Sequence, residues 1–152
     1  MSSAFLNKFL SPEDLNKISE TISGVEKHTS GELRVCLKNK RGILQGKYTS
    51  RELALNEFLR ADMDKTRDKT GVLIFILFGE RKFEIIADEG INARIPDSTW
   101  DSIEHMMTDE FKKENYLGGI VNAVEEIGEI LKNEFPPSSD NPDELSNDVI
   151  VG

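Results

Sequence analysis

The sequence predicts an α/β fold, a small sandwich of helices packed on a mixed β-sheet. The first reason is the order of hydrophobic patterns along the chain, which is helix, strand, helix, strand, strand, helix, helix. The second is the run Val72 to Phe78, apolar throughout and bounded by Gly71 and Gly79, which is typical of a strand buried on both faces. The length of 152 residues fits one domain, which at this size can bury about 70% of its unfolded surface.

The first half of the chain contains two helical patterns and one alternating pattern. Ser11 to Asp14 places a hydroxyl, a proline and two acids in order, which predicts the start of a helix that extends to about residue 28. Residues 32–38 alternate apolar and polar side chains and predict the first strand. Residues 39–49 are mostly polar and basic, and we expect an exposed loop. Ser50 is predicted to cap the next helix.

Two acidic clusters flank the central strand. Residues 83–87 predict its hairpin partner, because the polar connection is too short for a crossover helix, and Asp88-Glu89-Gly90 follows directly with a glycine suited to a sharp turn. The charged segment before the central strand contains Asp62, Asp64 and Asp68. Because the hairpin reverses the chain direction, we expect the two clusters to lie at one edge of the sheet.

The last part of the domain is predicted to be helical. Helices are expected from about Ser98 and from about Leu117, and Pro136-Pro137 ends the second of them. Residues 1–137 are therefore expected to form the domain, with residues 138–152 as an acidic C-terminal tail that is either flexible or laid along the domain surface.

Composition limits the class of partner. The net charge of −9 argues against nucleic acid or an anionic membrane as a partner. Cys36 lies in an apolar alternation and is predicted to be a buried thiol. No stretch approaches membrane-spanning length, and the N-terminus lacks the pattern of a secretory leader, so a cytoplasmic location is expected.

Converging carboxylates are typical ligands of Ca²⁺ or Mg²⁺, whereas the single cysteine and two histidines lack the spacing of a zinc site. Residues 62–68 begin like an EF-hand loop, but Arg67 replaces the required glycine and Leu73 the bidentate acid. Phosphate-binding glycine loops, dinucleotide fingerprints and nucleophilic triads are absent from the sequence. In so acidic a chain, a solubilising surface remains the alternative interpretation of these acids.

Short motifs occur in a characteristic order: Thr29-Ser-Gly-Glu-Leu-Arg-Val35, Met63-Asp-Lys-Thr66, Thr70-Gly-Val-Leu-Ile-Phe75, Arg81-Lys82-Phe83, Ala87-Asp-Glu-Gly-Ile91, Trp100 and Tyr116-Leu-Gly-Gly-Ile120. Together they resemble the TPM domain family, which includes thylakoid-lumen photosystem II repair proteins and levamisole-receptor modulator proteins. The resemblance spans most of residues 5–135. The tail from Asp143 to Asp148 is similar to that of the family's soluble bacterial branch.

The resemblance implies a three-layer α/β/α sandwich around a small mixed β-sheet, with an acidic divalent-metal site at one end of the sheet. In some members it implies phosphatase or nucleotide-hydrolysing activity. By position, Asp88 matches the family's acid after the hairpin strand, with Glu89 beside it and Asp97 at the start of the next helix. With the acids of the preceding segment, the expected metal ligands are Asp62, Asp64, Asp68, Asp88, Glu89 and Asp97.

Two functions are open. In one, Ca²⁺ or Mg²⁺ supports hydrolysis of a phosphate ester or nucleotide, and Asp64 or Asp97 accepts a proton as the catalytic carboxylate. In the other, the domain is not catalytic, and the metal stabilises a surface that binds a protein partner.

Overall fold

The computed structural model describes residues 2–137 and 145–152, and its elements follow the predicted order closely. The helices and strands are α1 Pro12–Glu26, β1 Glu32–Lys38, α2 Ser50–Arg60, β2 Gly71–Leu77, β3 Lys82–Ala87, α3 Glu89–Asn92, α4 Asp97–Lys112, α5 Tyr116–Glu134 and β4 Ile150–Val151. Short 3₁₀ helices lie at Ser2–Lys8, Ile43–Gln45, Met63–Lys65 and Phe78–Glu80.

The four strands of the described residues form one mixed sheet in the order β3-β2-β1-β4. β1 is parallel to β2 and to β4, whereas β3 is the antiparallel hairpin partner of β2. β4 is absent from the sequence prediction because two residues carry no periodic pattern. It forms because the edge of β1 pairs Cys36 with Ile150 and Leu37 with Val151. The beginning of the expected tail, residues 138–144, lies outside the described residues.

Helices cover both faces of the sheet, which confirms the α/β/α sandwich. α1, α4 and α5 pack on one face, over Leu33, Val35, Leu37, Val72, Ile74 and Ile76. α2 and the 3₁₀ helix that follows it cover the other face, over Cys36, Leu73, Phe75 and Leu77. β2 is therefore buried on both faces, which is why its sequence is apolar at nearly every position. In the described ranges, no helix is both long enough and apolar enough to cross a membrane.

Cys36 is buried, as predicted. Burial raises the pKa of its thiol to about 12, with a further contribution from the carboxylate of Glu57. The thiol therefore stays protonated at neutral pH and acts as an apolar side chain of the core.

The start of α1 is as predicted, but the cap of α2 is not. The Ser11 hydroxyl accepts the main-chain N–H of Asp14 at 3.0 Å, and the Asp14 carboxylate accepts that of Ser11 at 2.9 Å. At α2 the cap is Thr49, which has the extended backbone a cap requires (φ −73°, ψ 164°). Ser50, the predicted cap, is already the first helical residue.

Candidate functional site

The amino ends of β1 and β2 and the carboxyl end of β3 meet at one edge of the sheet. Glu32 is the register partner of Gly71, whose carbonyl oxygen accepts the N–H of Asp88 at 2.9 Å. Glu32, Gly71 and Asp88 therefore lie in a row across three strands. We call this edge, made of Glu32, residues 62–70 and residues 88–92, the acidic rim.

The two acidic clusters contact each other through their main chains. The N–H of Gly90 donates to the carbonyl oxygen of Lys69 at 2.9 Å. A side chain at position 90 would place its Cβ 2.5 Å from the carbonyl oxygens of both Asp68 and Lys69. Gly90 lies in α3, and no described glycine has a positive φ. The interpretation of Gly90 as a sharp turn is therefore wrong, and glycine is required here for close approach.

Asp88 is the N-cap of α3. Its Oδ1 accepts the N–H of Glu89 at 2.8 Å, whereas its Oδ2 is buried and has no hydrogen-bond partner among the described residues. A carboxylate oxygen removed from water without a donor is costly. This atom is the best indication of a ligand on the acidic rim.

Two of the predicted ligands in residues 62–70 form local ion pairs. Asp62 pairs with Lys65 at 3.1 Å and Asp68 pairs with Arg67 at 3.3 Å. The carboxylates are 62% and 55% exposed, respectively, so these pairs contribute little to stability. Both carboxylates could exchange these partners for a cation at small cost.

Asp64 and Asp97, the two predicted proton acceptors, lie in different surroundings. Asp64 is half-buried, and its carbonyl oxygen accepts a hydrogen bond from the Lys69 ammonium at 2.6 Å. Asp97 begins α4 and lines a pocket of about 420 Å³ with Arg51 and Asn92. Because Asn92 belongs to α3, this pocket adjoins the acidic rim.

The predicted ligands do not form one coordination shell. Within residues 2–137 and 145–152, no group of three or more His, Cys, Asp or Glu side chains is placed to hold a metal ion. Glu89 and Asp68 lie on the two segments that meet at Gly90, whereas Asp97 lines the adjoining pocket.

Sequence reasoning missed one acid of the rim. Glu32 is only 3% exposed at the first position of β1. By the alternation of the strands, Glu32 and Asp88 lie on the face of the sheet that also carries Cys36 and Ile86. The sequence signal was an acid at the start of an apolar strand, but only the register with Gly71 shows that it belongs to the rim.

Glu104 of α4 lines the pocket beside Asp97. Burial raises the pKa of its carboxyl above the ordinary 4.5, and the carboxylates of Glu84 and Asp101 add to this shift, with Arg51 opposing it. The folded state therefore holds this proton more tightly than the unfolded state does. This contribution to stability is largest at low pH and is lost as pH rises through the raised pKa.

We expect Glu104→Gln to increase the free energy of unfolding at about pH 7.5 and to change it little at about pH 3, where Glu104 is protonated in both states. Chemical denaturation at the two pH values measures this difference. Glu126→Gln, at an exposed position of α5, controls for removing one negative charge from an acidic chain. Equal gains in the free energy of unfolding for both variants at pH 7.5 would contradict a raised pKa at Glu104.

Comparison with known proteins agrees with the fold and the motifs. The model of the TPM domain family matches residues 6–130. The structure is similar to that of the BA42 protein from the psychrophilic bacterium Bizionia argentinensis, with 34% identity, a TM-score of 0.84, and coverage of 95% of this chain and 96% of that chain. No curated protein matches the sequence.

Two more distant structures share the fold alone. The N-terminal domain of a protein from P. gingivalis has 16% identity and a TM-score of 0.68, with 84% of this chain and 79% of that chain covered. The N-terminal domain of the cg2496 protein from Corynebacterium glutamicum has 13% identity and a TM-score of 0.60, with 89% and 78% covered. With the family model over most of its length and a relative one-third identical over nearly all of it, the chain belongs to the TPM domain family.

Proposed function

We propose that the acidic rim binds a hard divalent cation, Ca²⁺ or Mg²⁺, with Asp88 as the central ligand. The observation that supports this is the buried Asp88 Oδ2, which lacks a hydrogen-bond partner among the described residues. A desolvated carboxylate oxygen gains strongly from a nearby cation. The carbonyl oxygens of Asp68 and Lys69, which lie against Gly90, are hard oxygen ligands like the carboxylate.

The residues of the rim fit such an ion by the chemistry of their donor atoms. Carboxylate and carbonyl oxygens are the ligands that Ca²⁺ and Mg²⁺ prefer, and the rim contains no cysteine or histidine. Because the acids do not form a cluster in the described residues, binding would require residues 62–70 to rearrange. The exposed ion pairs of Asp62 and Asp68 make that rearrangement inexpensive.

We further propose that the bound cation supports hydrolysis of a phosphate ester or nucleotide. A bound cation supplies Lewis acidity toward a phosphoryl oxygen and lowers the pKa of a water molecule. Arg51 of the adjoining pocket donates to the Ile85 carbonyl oxygen at 2.9 Å and lies 3.6 Å from the Glu84 carboxylate, and it would turn from them to bind phosphate oxygens. The bound cation would offset the charge of Asp101 and Glu104 in the same pocket, and Asp97 would accept the proton of the attacking water. We assign this role to Asp97 rather than to Asp64, because Asp97 lines the pocket of Arg51, the side chain proposed to bind phosphate.

The test measures melting temperature and phosphate release on the same preparation. At a calcium concentration one hundred times its dissociation constant, the folded state gains about 2.7 kcal/mol, a rise of about 5–10 °C. Magnesium-dependent release of phosphate from p-nitrophenyl phosphate or ATP, abolished by a chelator, would support hydrolysis. Stabilisation without turnover would reject hydrolysis but retain cation binding. An unchanged melting temperature in millimolar calcium and magnesium would reject both.

A further inference from the structure

We propose that the opposite edge of the sheet binds a small aromatic anion, a flat ring that carries a carboxylate or phosphate. A pocket of about 810 Å³ lies there, and we call it the aromatic pocket because its walls include Phe9, Phe78, Phe83, Phe111 and Tyr116. It lies at the carboxyl ends of β1 and β2, about 20 Å from the acidic rim along β2. Open α/β sheets bind ligands at the carboxyl ends of their strands.

The walls of the aromatic pocket present ring surfaces. Phe9 stacks on Phe78 with ring centroids 4.3 Å apart, and Tyr116 meets Phe9 edge-on at 5.2 Å. Phe111 meets Phe83 edge-on at 5.6 Å. All of these rings except Phe78 remain half-buried, so part of each is left for an occupant. A planar ring would extend this cluster by stacking or edge-to-face contact.

Three cationic side chains also line the pocket. Arg81 and Lys82 come from the β2–β3 hairpin and Lys112 from the end of α4, and all three are exposed. Across residues 2–137 and 145–152, none of the three forms an ion pair with an acid. Among the described residues, Glu114 is the one acid in the pocket lining. In a chain of net charge −9, this excess of cations favours an anionic occupant.

The carboxylate of Glu80, next to Arg81 in the sequence, pairs with Arg41. Glu80 accepts two hydrogen bonds from the Arg41 guanidinium, at 2.8 and 2.9 Å, which makes Arg41 its main partner, and it also interacts electrostatically with Lys82. Arg81 and Glu114 both have left-handed backbones, with φ of 54° and 61°. Each of these residues follows directly on a helix end, where a left-handed residue is a common way to terminate the helix.

These features specify the occupant. The rings select a flat apolar body and the cations select a negative group. A neutral arene would lack the negative group, and a small aliphatic acid would lack the ring. The volume of about 810 Å³ is within the usual range of small-molecule sites. The proposal does not depend on cation binding at the acidic rim.

The test is a ¹H–¹⁵N NMR titration in EDTA, which keeps divalent cations from the rim. Naphthalene-2-carboxylate and 2-naphthyl phosphate are the two anionic probes, and they show which negative group is preferred. We expect at least one to bind saturably with a dissociation constant of about 0.1–1 mM and to shift the amides of Lys82, Phe83, Lys112 and Tyr116. 2-Naphthylmethylamine, a cation with the same ring, should bind at least about tenfold more weakly.

Substitutions test whether the cationic side chains of the aromatic pocket contribute to binding. Arg81→Asn combined with Lys112→Gln should weaken the preferred probe by about tenfold, and asparagine is chosen because it tolerates a left-handed backbone. Lys132→Gln, at an exposed position of α5 outside the aromatic pocket, should leave the affinity unchanged. The proposal is overturned if neither anion saturates below about 10 mM. Equal affinity for anion and amine, or shifts confined to other parts of the domain, would also overturn it, and both are measured on the unaltered protein.

Discussion

Asp88→Asn is expected to abolish the rise in melting temperature caused by calcium, a loss of about 5–10 °C under saturating conditions. The substitution removes the negative charge from the carboxylate whose Oδ2 is buried without a partner. Asparagine retains an oxygen for the N–H of Glu89 and is as good an N-cap as aspartate. The metal-free protein should therefore differ from the parent by less than about 1 kcal/mol. Thermal unfolding with calcium and with chelator measures both quantities.

A matched variant separates this effect from a general change of charge. Asp109→Asn removes a carboxylate from the exposed side of α4, where its partner is His105 at 3.7 Å. It should leave the calcium-dependent rise intact. If Asp88→Asn keeps the full rise, Asp88 is not a ligand. If Asp88→Asn also abolishes magnesium-dependent turnover that Asp109→Asn retains, the proposal of hydrolysis is supported.

Gly90→Ala is expected to lower the free energy of unfolding by about 1–3 kcal/mol, the usual cost of forcing atoms into a packed site. The added Cβ would lie 2.5 Å from two main-chain carbonyl oxygens, which cannot move as the end of a flexible side chain can. α3 and residues 68–69 must then separate, which also disturbs the acidic rim. Denaturant unfolding of the metal-free protein measures the loss.

Gly24→Ala provides the control for this substitution. Gly24 is an exposed glycine inside α1, and an added Cβ there would have nothing within 4 Å. Alanine in such a position should raise stability by about 0.4–1 kcal/mol, because it reduces the freedom of the unfolded chain. A Gly90→Ala protein as stable as Gly24→Ala would contradict the close approach between α3 and residues 68–69.

The sequence predicted elements whose pattern is local. β1 was expected over residues 32–38 and has those bounds, because alternation over seven residues is a sufficient signal. The apolar run of β2 and the short polar connection to β3 made the hairpin readable in the same way. β4 could not be predicted, because Ile150 and Val151 form a strand only by pairing with the edge of β1.

The acidic rim was predicted in part. The reversal of the hairpin correctly placed residues 88–90 beside residues 62–70, because topology alone determines which strand ends meet. The role of Gly90 could not be predicted, because the glycine is required by a contact with Lys69, twenty-one positions earlier in the chain. Glu32 was missed for the same reason, because its place on the rim depends on register with β2.

The aromatic pocket was not predicted from the sequence. Its rings come from the N-terminal segment, the hairpin, α4 and α5, and none has a spacing that distinguishes it from an ordinary core residue. Phe111 was expected simply on the apolar face of α4. Only the packed structure shows that it meets Phe83 and Tyr116 around a space.

A residue-resolved ¹H–¹⁵N NMR titration with calcium tests whether a divalent cation binds where α3 meets residues 62–70. If the cation binds there, saturable, chelator-reversible shifts are expected in the amides of residues 64–70 and 88–92, with Lys82 and Lys112 of the aromatic pocket unchanged. The absence of saturable shifts up to about 10 mM calcium, or saturable shifts confined to residues outside the acidic rim, would contradict such binding.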